Sequence, residues 1–291
     1  MYKQIAANKR NTVIIMLIFV VLIGVIGAAV AYFAGNWSIA IWTIAIAAFY
    51  ALLQYFLATK LAVMMTGSKP VTKKEQPRLY RIVENLSLTA GLPMPKIYVI
   101  DDPAPNAFAS GRKPEVAIVS ATTGLLDMMD DKELTAVMAH ELSHIRNYDI
   151  RVSMITFGLV CMVGLVADLG ARMLFFGDRR SDDRSPVGLI IMLVVAILAP
   201  IVAAMVQMAV SRQREYLADA SAVELTRFPE GMIAALKKLE SGGRPMKRQN
   251  TATSAMYINE PLRKGKLNSL FSTHPPIEKR ITRLENGKKT F

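Results

Sequence analysis

The sequence predicts a mostly α-helical protein with a small β-sheet, an α+β fold that carries four hydrophobic membrane helices. Hydrophobic residues make up 52% of the 291 residues, and the mean hydropathy is positive. This composition is too apolar for an ordinary soluble protein of this size. Four apolar stretches have the length of spanning helices, and the remaining chain shows helical periodicity interrupted by short β-rich runs.

The first two apolar stretches lie at the N-terminal end of the chain. Residues 13–33 carry no charge and have about the length that a helix needs to cross the hydrocarbon of a bilayer. Residues 39–65 form the second stretch, interrupted only by Gln54 and Lys60. Because the first stretch lacks a small-residue cleavage site and exceeds the core of a signal peptide, we expect a retained anchor.

The distribution of positive charge predicts the orientation of these two helices. Their connector at residues 34–38 is uncharged, with Trp37 and Trp42 near that interface. Basic residues flank the pair on the other side: Lys3, Lys9, Arg10, Lys60, Lys69, Lys73 and Lys74. The positive-inside rule therefore places both flanks in the cytoplasm.

A basic face beside anionic lipid also accounts for the net charge of +12, and no recognition helix indicates nucleic-acid binding. A single cysteine, Cys161, excludes an intramolecular disulfide.

A soluble region is expected to begin with a polar linker at residues 68–77. A helix follows that Gly91 and Pro93 terminate, with apolar residues at helical spacing: Leu79, Ile82, Val83 and Leu86. Residues 96–101 and 115–120 are predicted strands, and residues 106–111 between them are a candidate third strand. This small sheet is either a structural hairpin or an exposed edge that holds an extended peptide by main-chain hydrogen bonds.

The most informative stretch is the amphipathic helix predicted at residues 131–147. Asp130 can cap its first turn, and Glu133 can reach back to the cap in a capping box. Apolar residues recur at helical spacing and predict one buried stripe: Leu134, Val137, Met138, Leu142 and Ile145.

The same helix carries the pattern H-E-x-x-H, formed by His140, Glu141 and His144. Two histidines four residues apart project from one face of a helix. In this pattern the imidazoles bind Zn²⁺, and the carboxylate takes a proton from the metal-activated water. A surface helix that carries two histidines by chance is the alternative. A catalytic zinc site needs a third protein ligand, which must come from further along the chain because no histidine follows closely.

Two more apolar stretches follow, at residues 155–176 and 187–210, separated by the charged sequence GDRRSDDRSP. We expect a hydrophobic hairpin that spans or partly penetrates the membrane and returns the chain to its starting side. Asp168 lies in the first stretch; an acid at such a place either has a function in the membrane or marks an end of the span.

The next helical segment contains Glu215 and Asp219, one turn apart on the same face. Either both acids pair with Arg212 or Arg214 on a solvated face, or they serve the zinc site. The need for a third ligand favours Glu215 over Glu224 and Asp149. Asp219 is then placed to accept a hydrogen bond from the free N–H of a ligating histidine.

The expected organisation has four parts. Residues 1–67 form two N-terminal transmembrane helices, and residues 68–154 form the first half of the catalytic domain, with the sheet and the H-E-x-x-H helix. Residues 155–210 form the hydrophobic hairpin, and residues 211–291 form the second half of the domain, with the third zinc ligand.

Three segments together resemble a known family: HELSH at residues 140–144, EYLADA at residues 215–220 and STHPPIEKR at residues 272–280. With the two N-terminal spans and the sequence NAFASG, they are similar to the HtpX heat-shock proteases. More widely they resemble the membrane zinc metallopeptidases that include the CAAX prenyl proteases and the Oma-type enzymes. The likeness covers nearly the whole chain and is far more specific than the pentapeptide alone.

The resemblance implies a gluzincin-like metallopeptidase domain with one Zn²⁺ per chain. It assigns His140, His144 and Glu215 as zinc ligands and Glu141 as the general base. His274, the third histidine, becomes a candidate second donor to the oxyanion of the reaction. Without the resemblance, a histidine that caps the final helix is the better interpretation of His274.

The resemblance also implies a multi-pass protein of the cell (inner) membrane with a cytoplasmic catalytic domain. The expected partners are the lipid bilayer and protein or peptide substrates, namely misfolded or damaged membrane proteins in quality control and the stress response. One alternative is a CAAX-type prenyl-protein peptidase. Another is a non-catalytic membrane scaffold whose structural zinc is closed by four protein ligands.

Overall fold

The computed structural model describes residues 2–159, 162, 212–248, 256–259 and 275–287 of the chain. Two long helices form its N-terminal part, α1 (Tyr2–Ala34) and α2 (Ser38–Thr66). Both are long and apolar enough to cross a membrane, over Ile5–Ala28 and Ser38–Thr66. They pack closely, because Gly27 of α1 lies against Thr43 of α2, where an added Cβ would lie 2.6 Å from the Thr43 Cβ.

The outer faces of these helices are apolar and exposed. On α1, four side chains spaced four residues apart are 56–63% exposed: Val13, Leu17, Val21 and Val25. Trp42, Phe49 and Phe56 are similarly exposed on α2. Large apolar stripes of this kind belong in lipid rather than in water. Candidate membrane helices are therefore present at the first two of the four predicted positions. The predicted hairpin beyond residue 159, with Cys161 and Asp168, lies outside the described residues except for residue 162.

A four-stranded sheet follows, with the strand order β1-β2-β4-β3. The central strands β2 and β4 are parallel, and β1 and β3 each pair antiparallel with their neighbours. Its strands are β1 (Lys69–Pro70), β2 (Lys96–Ile100), β3 (Ala107–Ser110) and β4 (Ile118–Thr122). Helix α3 (Pro77–Ala90) connects β1 to β2 and ends, as predicted, at Gly91, whose φ is +64°.

Two sequence-based boundaries in this region were wrong. Residues 115–116 do not begin a strand, because Pro114 starts a single 3₁₀ turn and β4 begins only at Ile118. The predicted linker also contributes β1, in which Lys69 pairs with Val99. A two-residue strand is too short to display the alternation by which a strand is recognised in a sequence.

One edge of the sheet is formed by β3, and part of that edge is already paired. The backbone N–H of Ile258 donates to the carbonyl of Ala107 at 3.0 Å. The Asn106 side chain accepts from the Asn259 N–H at 3.1 Å and donates to the Asn259 carbonyl at 2.9 Å. The chain's own residues 256–259 therefore cover the Ala107 end of this edge.

Helix α5 is at the centre of the fold. A short helix, α4 (Thr123–Met128), leads into α5 (Asp131–Arg146), which begins with the predicted capping box of Asp130 and Glu133. Residues 149–159 are helical and form α6. The remaining described helices are α7 (Arg212–Thr226), α8 (Pro229–Ser241) and α9 (Ile277–Gly287).

The predicted apolar stripe of α5 is confirmed as core, with all five of its side chains at most 1% exposed. This face packs with α3 and the sheet in one hydrophobic cluster. The opposite face of α5 packs against α7, α8 and α9 and is also buried. The polar side chains in the second half of α5, among them His140, Glu141 and Ser143, are therefore enclosed between helices, where they need charged or hydrogen-bonding partners.

Candidate metal centre

His140 and His144 lie on the face of α5 that packs against α7. His140 is only 1% exposed. The two rings are perpendicular, with their centroids 4.7 Å apart. Their Nε2 atoms are 3.1 Å apart, so both rings direct the same nitrogen to one point.

Glu215, in the first turn of α7, brings a carboxylate to that point. Its Oε2 lies 3.6 Å from His140 Nε2, and its Oε1 lies 3.5 Å from His144 Nε2. Ligands about 2.0 Å from a tetrahedral Zn²⁺ are about 3.3 Å from one another. Within the part of the chain that the structure describes, these three residues form the group that could hold a metal ion. Three protein ligands leave the fourth position of a tetrahedral ion for water.

The other candidates for third ligand are not placed for that role. Glu224 is exposed near the end of α7. Asp149 is buried but lies behind the His144 ring, with its Oδ2 3.0 Å from His144 Nδ1.

Each histidine has a carboxylate at its second ring nitrogen. His140 Nδ1 lies 3.0 Å from Oδ1 of Asp219, and His144 Nδ1 lies 3.0 Å from Oδ2 of Asp149. A carboxylate at Nδ1 holds the proton there and leaves the Nε2 lone pair for a metal. The expected partner, Asp219, is thus accompanied by an equivalent partner that sequence reasoning had weighed only as a ligand.

Asp219 is bound on its other side by Arg280 of α9. The guanidinium donates from Nε to Oδ2 at 2.8 Å and from Nη2 to Oδ1 at 2.6 Å. Arg280 is 1% exposed, and its Nη1 lies 3.9 Å from Glu215 Oε2. Asp219 therefore does not pair with Arg212 or Arg214, as one interpretation of the sequence had it. Arg214 instead lies 4.0 Å from Asp149 Oδ1.

These contacts change the ionisation of the site in the metal-free protein. Burial alone would lower the pKa of His140, but hydrogen bonds with Asp219 and Glu215 raise it to about 9. Burial likewise opposes the ionisation of Asp219, but Arg280 holds the pKa of that carboxyl at about 2. For His144, the hydrogen bond with Asp149 outweighs burial and raises the pKa. In the metal-free protein at neutral pH, the Asp219 carboxylate is therefore charged and lies between the cations of His140 and Arg280.

Glu141 occupies the next position on α5 and is 2% exposed. Its carboxylate lies close enough to Arg280 for their opposite charges to interact. His274 lies outside the described residues, three positions before α9 begins at Ile277. Its assignment as an oxyanion donor stays a prediction.

Sequence reasoning missed the roles of three buried residues near the site. Asp149 was weighed only as a third ligand, although its position five residues after His144 is a usable signal for a hydrogen bond to that histidine. Arg280 belongs to the STHPPIEKR segment, in which only His274 was assigned a role from the sequence. Asn8 of α1, which contacts Asp149, had no signal in the sequence, because nothing places α1 beside α5 before the chain is folded.

Comparison with known proteins identifies relatives over the whole chain. The sequence model of "Peptidase family M48" matches residues 73–288. The "Protease HtpX homolog" of Tropheryma whipplei (strain Twist) is 49% identical over 291 residues, covering 100% of both chains. The "Protease HtpX homolog" of Streptococcus pyogenes serotype M5 (strain Manfredo) is 46% identical over 297 positions, covering 98% of this chain and 99% of the relative.

Among solved structures, the crystal structure of S. mikatae Ste24p has a similar fold. The two structures superpose with a TM-score of 0.54 and 20% sequence identity, covering 98% of this chain and 67% of that one. At this identity the likeness concerns the arrangement of the chain only.

Proposed function

Because this chain belongs to peptidase family M48, we propose that it is an integral membrane zinc endopeptidase that cleaves misfolded or damaged membrane proteins. The observation that carries this proposal is the convergence of His140, His144 and Glu215 on one point, with Glu141 beside them. The relatives named as HtpX proteases and the two membrane-capable helices support the membrane protease class.

In this proposal His140 Nε2, His144 Nε2 and the Glu215 carboxylate hold the ion. When bound, Zn²⁺ polarises the scissile carbonyl and makes a water molecule more acidic. Glu141 accepts the proton of the attacking water and then donates it to the leaving amine. Its burial beside Arg280 keeps the carboxylate close to the reacting atoms and away from bulk solvent.

Asp219 and Asp149 act in the proposal as positioning residues. Each accepts a hydrogen bond from Nδ1 of one histidine and fixes the ring so that Nε2 faces the ion. Arg280 fixes Asp219 by two hydrogen bonds and supplies a positive charge near three carboxylates, Glu141, Glu215 and Asp219. His274 is the proposed second donor to the oxyanion.

The position of the site relative to the membrane supports substrates that are themselves membrane proteins. Basic residues at the ends of α1 and α2 support a cytoplasmic position for the sheet and α5 in this proposal. Buried residues of α6 pack against α1 and α2: Val152, Met154, Ile155 and Leu159. Since α6 begins two residues after Asn147, the end of the H-E-x-x-H helix lies near the lipid boundary.

The decisive assay uses freshly purified full-length protein with added Zn²⁺ or with a chelator. We expect cleavage of an unfolded membrane protein in the first case and none in the second. A prenylated C-terminal CAAX peptide serves as the comparison substrate, and preferential cleavage of that peptide would support the prenyl-peptidase alternative. Failure to cleave any peptide bond with zinc fully bound would support a scaffold role.

A further inference from the structure

The N-terminal membrane helix reaches the metal centre through Asn8. This side chain lies five positions before the uncharged run that begins at Val13, and it is 1% exposed. Its Nδ2 donates to Oδ1 of Asp149 at 2.6 Å and to the carbonyl of Asn147 at 2.8 Å. Both donors of one amide group therefore go to residues 147 and 149, where α5 ends and α6 begins.

The turn between α5 and α6 has an unusual backbone. Tyr148, between the two residues that Asn8 holds, has a φ of +62°. A side chain with a Cβ rarely adopts this left-handed conformation, so the surrounding contacts must maintain it. Lys9 of α1 adds one of these contacts, with its Nζ 4.8 Å from the centre of the Tyr148 ring. The turn returns the chain so that Asp149 lies behind His144.

Asp149 divides its two oxygen atoms between these partners. Oδ2 lies at the Nδ1 atom of His144, and Oδ1 accepts from Asn8, with Arg214 Nη1 4.0 Å away. The rotation of the carboxylate is thus fixed from the membrane-helix side. Asn8 lies outside residues 73–288, which match the family model.

We propose that Asn8 is a positioning residue of the metal centre, which acts on His144 through Asp149 and makes helix α1 part of the site. This inference rests on the proposed function, because it takes His144 as a metal ligand. It goes further in that the catalytic region is incomplete without the membrane anchor: a shift of α1 changes the orientation of a ligand.

The test is the affinity of the full-length protein for Zn²⁺, measured in detergent by competition with a coloured chelator. Asn8→Leu keeps the branched shape of the side chain but removes the donor. We expect zinc to bind roughly 3- to 10-fold more weakly, somewhat less than the roughly 10- to 100-fold loss typical when a direct partner of a ligand is removed. Asp149→Asn should show that larger loss.

A double-mutant cycle separates positioning from general stability. If Asn8 acts through Asp149, Asn8→Leu should change the affinity less than about twofold in an Asp149→Ala background, because alanine offers no acceptor to Asn8 or to His144. The visible absorption of bound Co²⁺ should also change in Asn8→Leu, because the orientation of a ligand changes. Asn11→Leu, on the same helix three residues later, is the matched control and should match the wild type. Asn8→Ala provides a second variant if Asn8→Leu does not fold.

Wild-type zinc affinity and an unchanged Co²⁺ spectrum in a folded Asn8 variant would overturn the proposal, as would equal losses in both backgrounds of the cycle. His144→Ala distinguishes this failure from failure of the proposed function. If His144→Ala loses zinc while the Asn8 variants retain it, only the role of Asn8 is wrong. If His144→Ala also binds zinc normally, the metal centre itself is wrong.

Discussion

The Nδ1 atom of His140 lies 3.0 Å from Oδ1 of Asp219, the same separation that joins Nδ1 of His144 to Oδ2 of Asp149. This repetition directs both Nε2 atoms to one point, where they lie 3.1 Å apart, which is close to the spacing of two ligands on one tetrahedral ion. The orientations of the two histidine rings are thus fixed by carboxylates from different helices, α7 for His140 and α6 for His144.

Glu141 is expected to be required for cleavage but not for metal binding. Glu141→Gln keeps the size of the side chain but removes the base, so the rate of cleavage should fall at least about 10²-fold. Zinc content should stay at one ion per chain. The comparison is Glu240→Gln, an exposed position on α8, which should cleave normally. A Glu141→Gln enzyme with the wild-type rate would show that another group takes the proton.

Loss of the Glu215 carboxylate should release the metal. Glu215→Ala removes one of three proposed ligands, so its zinc affinity should fall further than the roughly 10- to 100-fold expected for an outer partner. Glu224→Ala, on the exposed face of the same helix, is the matched control. The zinc content of each variant is measured by metal analysis after dialysis. Full zinc retention in Glu215→Ala would mean that a different residue is the third ligand.

Arg280 is expected to stabilise the fold of the metal-free protein strongly. Arg280→Met leaves Asp219 as a buried charge without its main partner, a change that typically costs about 3–5 kcal/mol. Urea unfolding of the zinc-free protein measures the difference. Arg283→Met is the control, because Arg283 is exposed and stacks on Tyr216 with its charge 4.7 Å from the ring centre. A similar decrease in the free energy of unfolding in both variants would contradict a special role for the Arg280–Asp219 pair.

The zinc-free protein should lose stability as the pH rises. The pKa of His140 is raised from 6.5 to about 9 in the folded protein, so its protonated form contributes stability that is fully present below pH 6.5. That contribution is lost as the pH passes through about 9. We expect the urea midpoint of the zinc-free protein to fall over this range. A constant or rising midpoint would contradict the assigned protonation.

Zinc binding at neutral pH should accordingly release protons, because a ligating imidazole is neutral. Calorimetric titrations in buffers with different heats of ionisation count the protons released. Asp219→Asn removes the carboxylate that raises the pKa of His140 most and keeps the ligand, so it should release fewer protons for each zinc ion bound. Equal proton release in the wild type and in this variant would place the proton elsewhere.

Local signals in the sequence were enough to predict helix α5 and the end of helix α3. The capping box of Asp130 and Glu133, the buried stripe of α5 and the end of α3 at Gly91 follow from contacts within a few residues, and each was predicted. The shared face of Glu215 and Asp219 also follows from the helical repeat. Such features depend on neighbours in the chain and are therefore readable without a fold.

Glu215 was the exception among features that depend on distant segments, because a zinc site requires a third ligand; the others were not predicted. Strand β1 exists only because Lys69 pairs with Val99 of β2. Arg280 reaches Asp219 from 61 residues away, and Asn8 reaches Asp149 from 141 residues away. Spacing in the sequence carries no information on which helices pack together, so these partners became visible only in the folded chain.

The most direct test is the position of the metal, determined from anomalous X-ray scattering at the zinc edge in crystals of the zinc-loaded protein. We expect one strong peak about 2.0–2.2 Å from His140 Nε2, His144 Nε2 and a carboxylate oxygen of Glu215. A peak bound by other residues, or none within bonding distance of these three side chains, would contradict the proposed metal centre.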